Sequence, residues 1–114
     1  VCKALAALPP EGRRGVRVIG HPAIVARAAA LCGVDVALDV LPVETPGFER
    51  IRDGEGSPEG GAAAFAYVAE AVARAKAGDI DVIVTAPINK SALHEAGHHY
   101  DGHTGLLQAL TGAA

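Results

Sequence analysis

The chain has 114 residues, with 10 Lys or Arg against 13 Asp or Glu and a formal net charge of −3. No basic block extends beyond Arg13-Arg14, so no nucleic-acid footprint is expected, and no run approaches the roughly 18 apolar residues that span a bilayer. With no basic start leading into a hydrophobic segment, the chain reads as soluble, cytoplasmic and without a membrane partner.

The core is expected to be built from small side chains: 24 residues are Ala, the aromatics are Phe48, Phe65, Tyr67 and Tyr100, and Met and Trp do not occur. Apolar burial is worth about 25 cal/mol per Å², so small side chains contribute little each. Stability is expected from close helix packing, from a partner, or from further chain. Cys2 and Cys32 lie in apolar helical contexts, unlike the dense cysteine pattern of a disulfide scaffold, and read as reduced thiols.

Val1–Leu8 has helical composition and is stopped by Pro9-Pro10. Val16–Ile19 reads as a short strand turned by Gly20. His21-Pro22 opens a helix with Pro at its first position, Ile24, Val25, Ala28, Leu31 and Cys32 recur at helical spacing, and Gly33 closes it. Val36–Leu41 reads as the next strand, so the order is strand, helix, strand, which builds parallel sheets in an α/β fold.

Residues 42–61 change character, with three prolines, five glycines and several charges, and are expected to form a loop or hairpin excursion. The whole of 1–114 is otherwise taken as a single α/β segment. A helix follows over about Ala62–Ala77, with Phe65, Val68, Ala69 and Val72 on one face and Glu70 four residues before Arg74 on the other. Ile80-Asp81-Val82-Ile83-Val84 has the strongest strand pattern. A helix starting near Asn89 runs to Ala96 and is closed by Gly97, and a last one starts at Thr104.

Two polar motifs follow that apolar run: Thr85-Ala86-Pro87-Ile88-Asn89-Lys90 and Asp101-Gly102-His103-Thr104. The exit of a buried strand is where α/β proteins bind ligands. Lys90 offers a point charge which, with the N–H groups of a helix start, suits a phosphate or carboxylate. Its position in a first helical turn is slightly disfavoured by the helix dipole, which favours a ligand role over a solvated lysine. Asn89 caps the helix through its side-chain oxygen in the plainest reading. His103, between glycines, can donate to a substrate oxygen, bind a metal or act as a base; Thr104 can cap a helix and still donate its hydroxyl. His94 and His98 would share a helical face only if the helix passed Gly97, and His98-His99 are sequence neighbours that point apart, so these histidines alone are not expected to form a metal site. His21 reads as a helix-entry residue. No Gly-x-Gly-x-x-Gly or phosphate-loop motif is present, and the acidic Gly54–Gly61 stretch suits a flexible surface better than a phosphate cradle.

Val84–Lys90, Ala96-Gly97 and Tyr100–Thr104, with Lys3-Ala4-Leu5 and Gly20-His21-Pro22-Ala23, together resemble the 4-hydroxythreonine-4-phosphate dehydrogenase family of vitamin B6 biosynthesis. The resemblance runs through essentially the whole chain. It implies a three-layer αβα arrangement with a mostly parallel sheet, part of an isocitrate dehydrogenase-like two-domain fold, and a homodimer. It also implies oxidative decarboxylation of 4-hydroxythreonine 4-phosphate or a related phosphorylated hydroxy acid. In that chemistry NAD or NADP takes the hydride and a divalent metal polarises the substrate hydroxyl.

Substrate contact transfers to His103 and Thr104 of the Gly-His-Thr motif, and Lys90 and Asn89 complete the expected substrate-binding set. No catalytic residue, cofactor contact or metal ligand is transferred. The family motif continues with Glu where this chain has Gly105, and a family enzyme is about three times as long. The chain is therefore expected to be an internal or truncated segment with part of the substrate site and little activity alone. The alternative is a noncatalytic α/β module for small-molecule binding or assembly.

Overall fold

The computed structural model describes residues 2–35, 38–52, 56–85, 89–100 and 102–112. Backbone contacts divide the chain into two compact units, Val1–Val43 and Glu44–Ala114. The first begins with helix α1 (Cys2–Ala7), and Pro9-Pro10 separates it from a single turn, α2 (Pro10–Arg13). Strand β1 (Val18–Gly20), helix α3 (Pro22–Leu31) and strand β2 (Val40–Pro42) form a parallel β-α-β unit. Its register sets Val18 opposite Val40, Ile19 opposite Leu41 and Gly20 opposite Pro42.

Both strands are shifted from the expected ranges, β1 from Val16–Ile19 and β2 from Val36–Leu41, of which Val36 and Ala37 lie outside the described residues. Pairing sets the extent: Val18 N–H donates to Asp39 O at 2.8 Å, and Val43 N–H donates to Gly20 O at 3.0 Å. Pro42, with no N–H to give, stands at the strand's end. Buried His21 enters α3 as read, its Nδ1 accepting from Ala23 N–H at 3.1 Å ahead of Pro22. Cys2 is buried and Cys32 exposed, and both are free thiols.

The second unit is helical. After a 3-10 turn at Phe48–Arg50 come α4 (Pro58–Lys76), α5 (Lys90–Glu95) and α6 (His103–Thr111). Helix α4 begins four residues before the expected Ala62, inside the 42–61 stretch. Ser57 Oγ accepts from Gly60 N–H at 3.0 Å, Pro58 takes the first helical position and Glu59 meets the positive end of the dipole. The Glu70–Arg74 pair forms at 2.8 Å, and Asp79 adds a second carboxylate at 3.1 Å. Their hydrogen bonds raise the Arg74 pKa further above its ordinary value.

The core of this unit is Ala63, Val68, Ala71 and Val72 of α4 against Ala92 and Leu93 of α5 and Leu106 of α6. Gly61 is what lets α4 and α5 touch. A Cβ there would collide with the Ala92 carbonyl and come within 2.8 Å of Leu93 N, so the two backbones are packed as closely as a missing side chain permits. Close helix packing is thus realised where Gly61 of α4 meets Ala92 of α5, with Leu93 and Leu106 fully buried in the same core.

The chain shows an α/β fold, but one expectation is met only in part and a second is corrected. Among the described residues the sheet has two strands, β1 and β2, so the three-layer sandwich is not seen. Ile80–Val84 adopts no strand, and Val82 and Val84 are 76% and 91% exposed. A strand exists by virtue of a hydrogen-bonded neighbour, and no described residue pairs with this segment.

Candidate functional site

The two polar motifs meet at the heads of α5 and α6. Of the first motif, Ala86, Pro87 and Ile88 lie outside the described residues, as does Asp101 of the second. Asn89 is the N-cap of α5 and its Oδ1 accepts from Ala92 N–H at 3.0 Å. Its Nδ2 stands over Gly56, 2.7 Å from where a Cβ would sit. An open cleft of about 270 Å³ lies here, lined by Gly56, Ser57, Gly60, Gly61, Ala64, Asn89 and Ala92. It faces the first turns of α4 and α5, at the positive ends of their helix dipoles.

Lys90 is the first residue of α5 and is exposed. Its side chain runs to the head of α6, with Cε 3.9 Å from the position a Cβ would take on Gly102. Gly102 is the N-cap of α6 with φ of 84°, a backbone conformation suited to glycine. His103 is half-buried and Thr104 exposed, as the first two residues of α6. The helix thus starts one residue earlier than expected, and Thr104 is not its cap. Gly102 turns the backbone instead, and Thr104 Oγ1 stands in the exposed first turn.

The structure therefore brings Lys90, His103 and Thr104 to neighbouring helix heads and sets Asn89 at the edge of the adjoining cleft. Chemically, the arrangement combines an ammonium, helix N–H groups, an imidazole and a hydroxyl, a donor set for an anion. Among the described residues no group of three or more His, Cys, Asp or Glu stands together as a ligand set for the divalent metal implied by the resemblance.

Beyond α5, Gly97, with φ of 94°, reverses the chain. Gly97 N–H donates to His94 O at 2.9 Å and His98 N–H to Leu93 O at 3.0 Å, a Schellman ending. His98 is carried onto the Phe65 ring, stacked with centroids 3.7 Å apart, while His99 returns beside His94. His98 and His99 do point apart, but the His94–His99 approach was not expected. Gly97 after His94 was its one legible signal.

The family model of the pyridoxal phosphate biosynthetic protein PdxA matches residues 14–114. The D-threonate 4-phosphate dehydrogenase of Bordetella bronchiseptica is 37% identical over 111 residues, covering 83% of this chain and 32% of that protein. The 4-hydroxythreonine-4-phosphate dehydrogenase of Synechocystis is 44% identical over 75 residues, covering 66% and 22%. The chain thus spans at most about a third of these curated relatives. The crystal structure of a 4-hydroxythreonine-4-phosphate dehydrogenase from Burkholderia phymatum superposes with a TM-score of 0.87 at 32% identity, over 99% of this chain and 39% of that one. With sequence and fold matching over nearly its whole length, the chain belongs to the PdxA family.

Proposed function

We propose that this chain is a segment of an NAD(P)-dependent enzyme that oxidatively decarboxylates a phosphorylated hydroxy acid, 4-hydroxythreonine 4-phosphate or D-threonate 4-phosphate. The segment supplies one wall of the substrate site and does not turn substrate over alone. The observation that carries the reading is the reach of Lys90 to Gly102, which joins the two motifs that the resemblance singles out.

Lys90 neutralises an anionic group of the substrate, and the first-turn N–H groups of α6 add aligned donors. His103 and Thr104 orient the substrate through an imidazole and a hydroxyl. Asn89 Oδ1 is committed to Ala92, so Asn89 acts through its Nδ2 donors. Hydride acceptance by NAD(P) and polarisation of the hydroxyl by a divalent metal belong to the rest of the longer protein. That protein also supplies the remaining strands of the three-layer αβα arrangement and the contacts of the homodimer.

The chain's span of about a third of its relatives favours a second reading, ligand binding without catalysis. Calorimetric titration with D-threonate 4-phosphate, alongside a spectrophotometric assay of NAD(P) reduction, tests the substrate-site assignment and the catalytic incompleteness of the chain. Saturable binding without reduction is expected from the isolated chain. Lys90→Ala should weaken binding about tenfold, the scale of one charge-assisted hydrogen bond. Absence of binding overturns the substrate-site assignment; robust turnover by the 114-residue chain overturns the claim that it is catalytically incomplete.

A further inference from the structure

The histidines at the far end of α5 form an arrangement that the substrate site does not use. His94 and His99 are exposed, and their ring centroids lie 5.2 Å apart with the planes tilted by 46°. The Schellman ending holds them there, since the hydrogen bonds of Gly97 and His98 fix the path from one to the other, and His98 is anchored on Phe65 of α4.

His94 Nε2 lies 3.2 Å from the Tyr100 carbonyl. A carbonyl oxygen only accepts, so this bond places the proton on Nε2 and leaves Nδ1 with its lone pair. A backbone carbonyl holding the second ring N–H is the usual support of a metal-binding histidine. The ring spacing also fits. A metal–nitrogen bond of about 2.0–2.1 Å sets two cis imidazole centroids about 4.5–5.2 Å apart for angles of about 90–110°.

From this geometry we infer that His94 and His99 form a bidentate imidazole site for a divalent transition metal of the zinc, nickel or copper class. Two neutral imidazoles suit these borderline ions and not magnesium or calcium, which require oxygen donors. Among the described residues no third His, Cys, Asp or Glu joins the pair, so the remaining positions are left to water or an external ligand. The site is separate from Lys90, His103 and Thr104 and stands or falls independently of the substrate assignment.

Titration of the chain with Cu²⁺ alone, read by electron paramagnetic resonance, and with Zn²⁺ alone, read by competition with a chromophoric chelator, tests it. One saturable site per chain is expected, with copper hyperfine structure from two nitrogens. His94→Gln and His99→Gln should each reduce affinity by about tenfold or more and leave one nitrogen in the spectrum. Both side chains are exposed, so the circular dichroism of each variant should match wild type. His103→Gln should leave metal binding unchanged. Metal affinity that is insensitive to His94 and His99, that disappears with His103→Gln, or that is not saturable overturns the inference.

Discussion

Replacing Gly61 by Ala tests the packing that places the α5 head. The added Cβ would strike the Ala92 carbonyl and lie within 2.8 Å of Leu93 N. Both are backbone atoms of a helix and cannot rotate aside, so α4 and α5 must separate and loosen Ala63, Ala92 and Leu93 around the contact. In an open helix the same change would stabilise by about 0.8–1.0 kcal/mol. Overpacking a close contact costs about 1–3 kcal/mol or more, and the unyielding partners put this site at the upper end. The net loss is then about 1–2 kcal/mol.

At about 4–8 °C per kcal/mol for a small domain, Tm should fall by about 4–16 °C. Thermal unfolding followed by circular dichroism measures this. Gly60→Ala is the internal control: among the described residues its Cβ would meet only the capping Ser57 Oγ, at 3.2 Å, and weakening that cap, at about 1 kcal/mol, is offset by the higher helix propensity of Ala over Gly. That variant should stay within about 0.5 kcal/mol of wild type. A Gly61→Ala chain that melts at or above the wild-type temperature would refute the argument, because helix propensity alone would then be acting.

Three further outcomes are expected. Ser57→Ala removes the cap of α4 and should cost about 1 kcal/mol in denaturant unfolding, with Ser57→Asp close to wild type. Leu93, fully buried, should cost about 2–5 kcal/mol when changed to Ala, read by the same unfolding curves. The Glu59 carboxyl is held below its ordinary pKa, first by a backbone N–H at the start of α4 and then by Arg50, 3.0 Å away. A folded value below the unfolded one stabilises above the ordinary carboxylate range and is lost as pH falls through the depressed value. The Tm advantage of wild type over Glu59→Gln should therefore be present near neutrality and vanish in acid. An advantage that grows on acidification contradicts the assignment.

What could be read from the residues depended on how local each signal was. Helix α3 was bounded by Pro22 and Gly33, and α5 by Asn89 and Gly97, because caps and stops act over a single turn. Ser57-Pro58-Glu59 carried an equally local start for α4, but Gly60 and Gly61 resembled a loop; Gly61 is there for Ala92, a neighbour only in space. Ile80–Val84 showed the opposite failure, a strong strand pattern without a paired neighbour among the described residues. In the candidate site, the residue types were legible, including the Asn89 cap. The Lys90–Gly102 approach was not, since it depends on how α5 and α6 each pack on α4. The His94–His99 contact was hidden for a related reason: Gly97 marks the stop, but only the completed turn shows where His99 lands.

The central claim is that the heads of α5 and α6 together bind a phosphorylated hydroxy acid. Its most direct test is amide chemical-shift mapping of the isotopically labelled chain during titration with D-threonate 4-phosphate. The account predicts saturable shifts centred on Lys90, Gly102, His103 and Thr104, reduced in the Lys90→Ala chain. Shifts confined to other parts of the chain, or none at millimolar ligand, would contradict it.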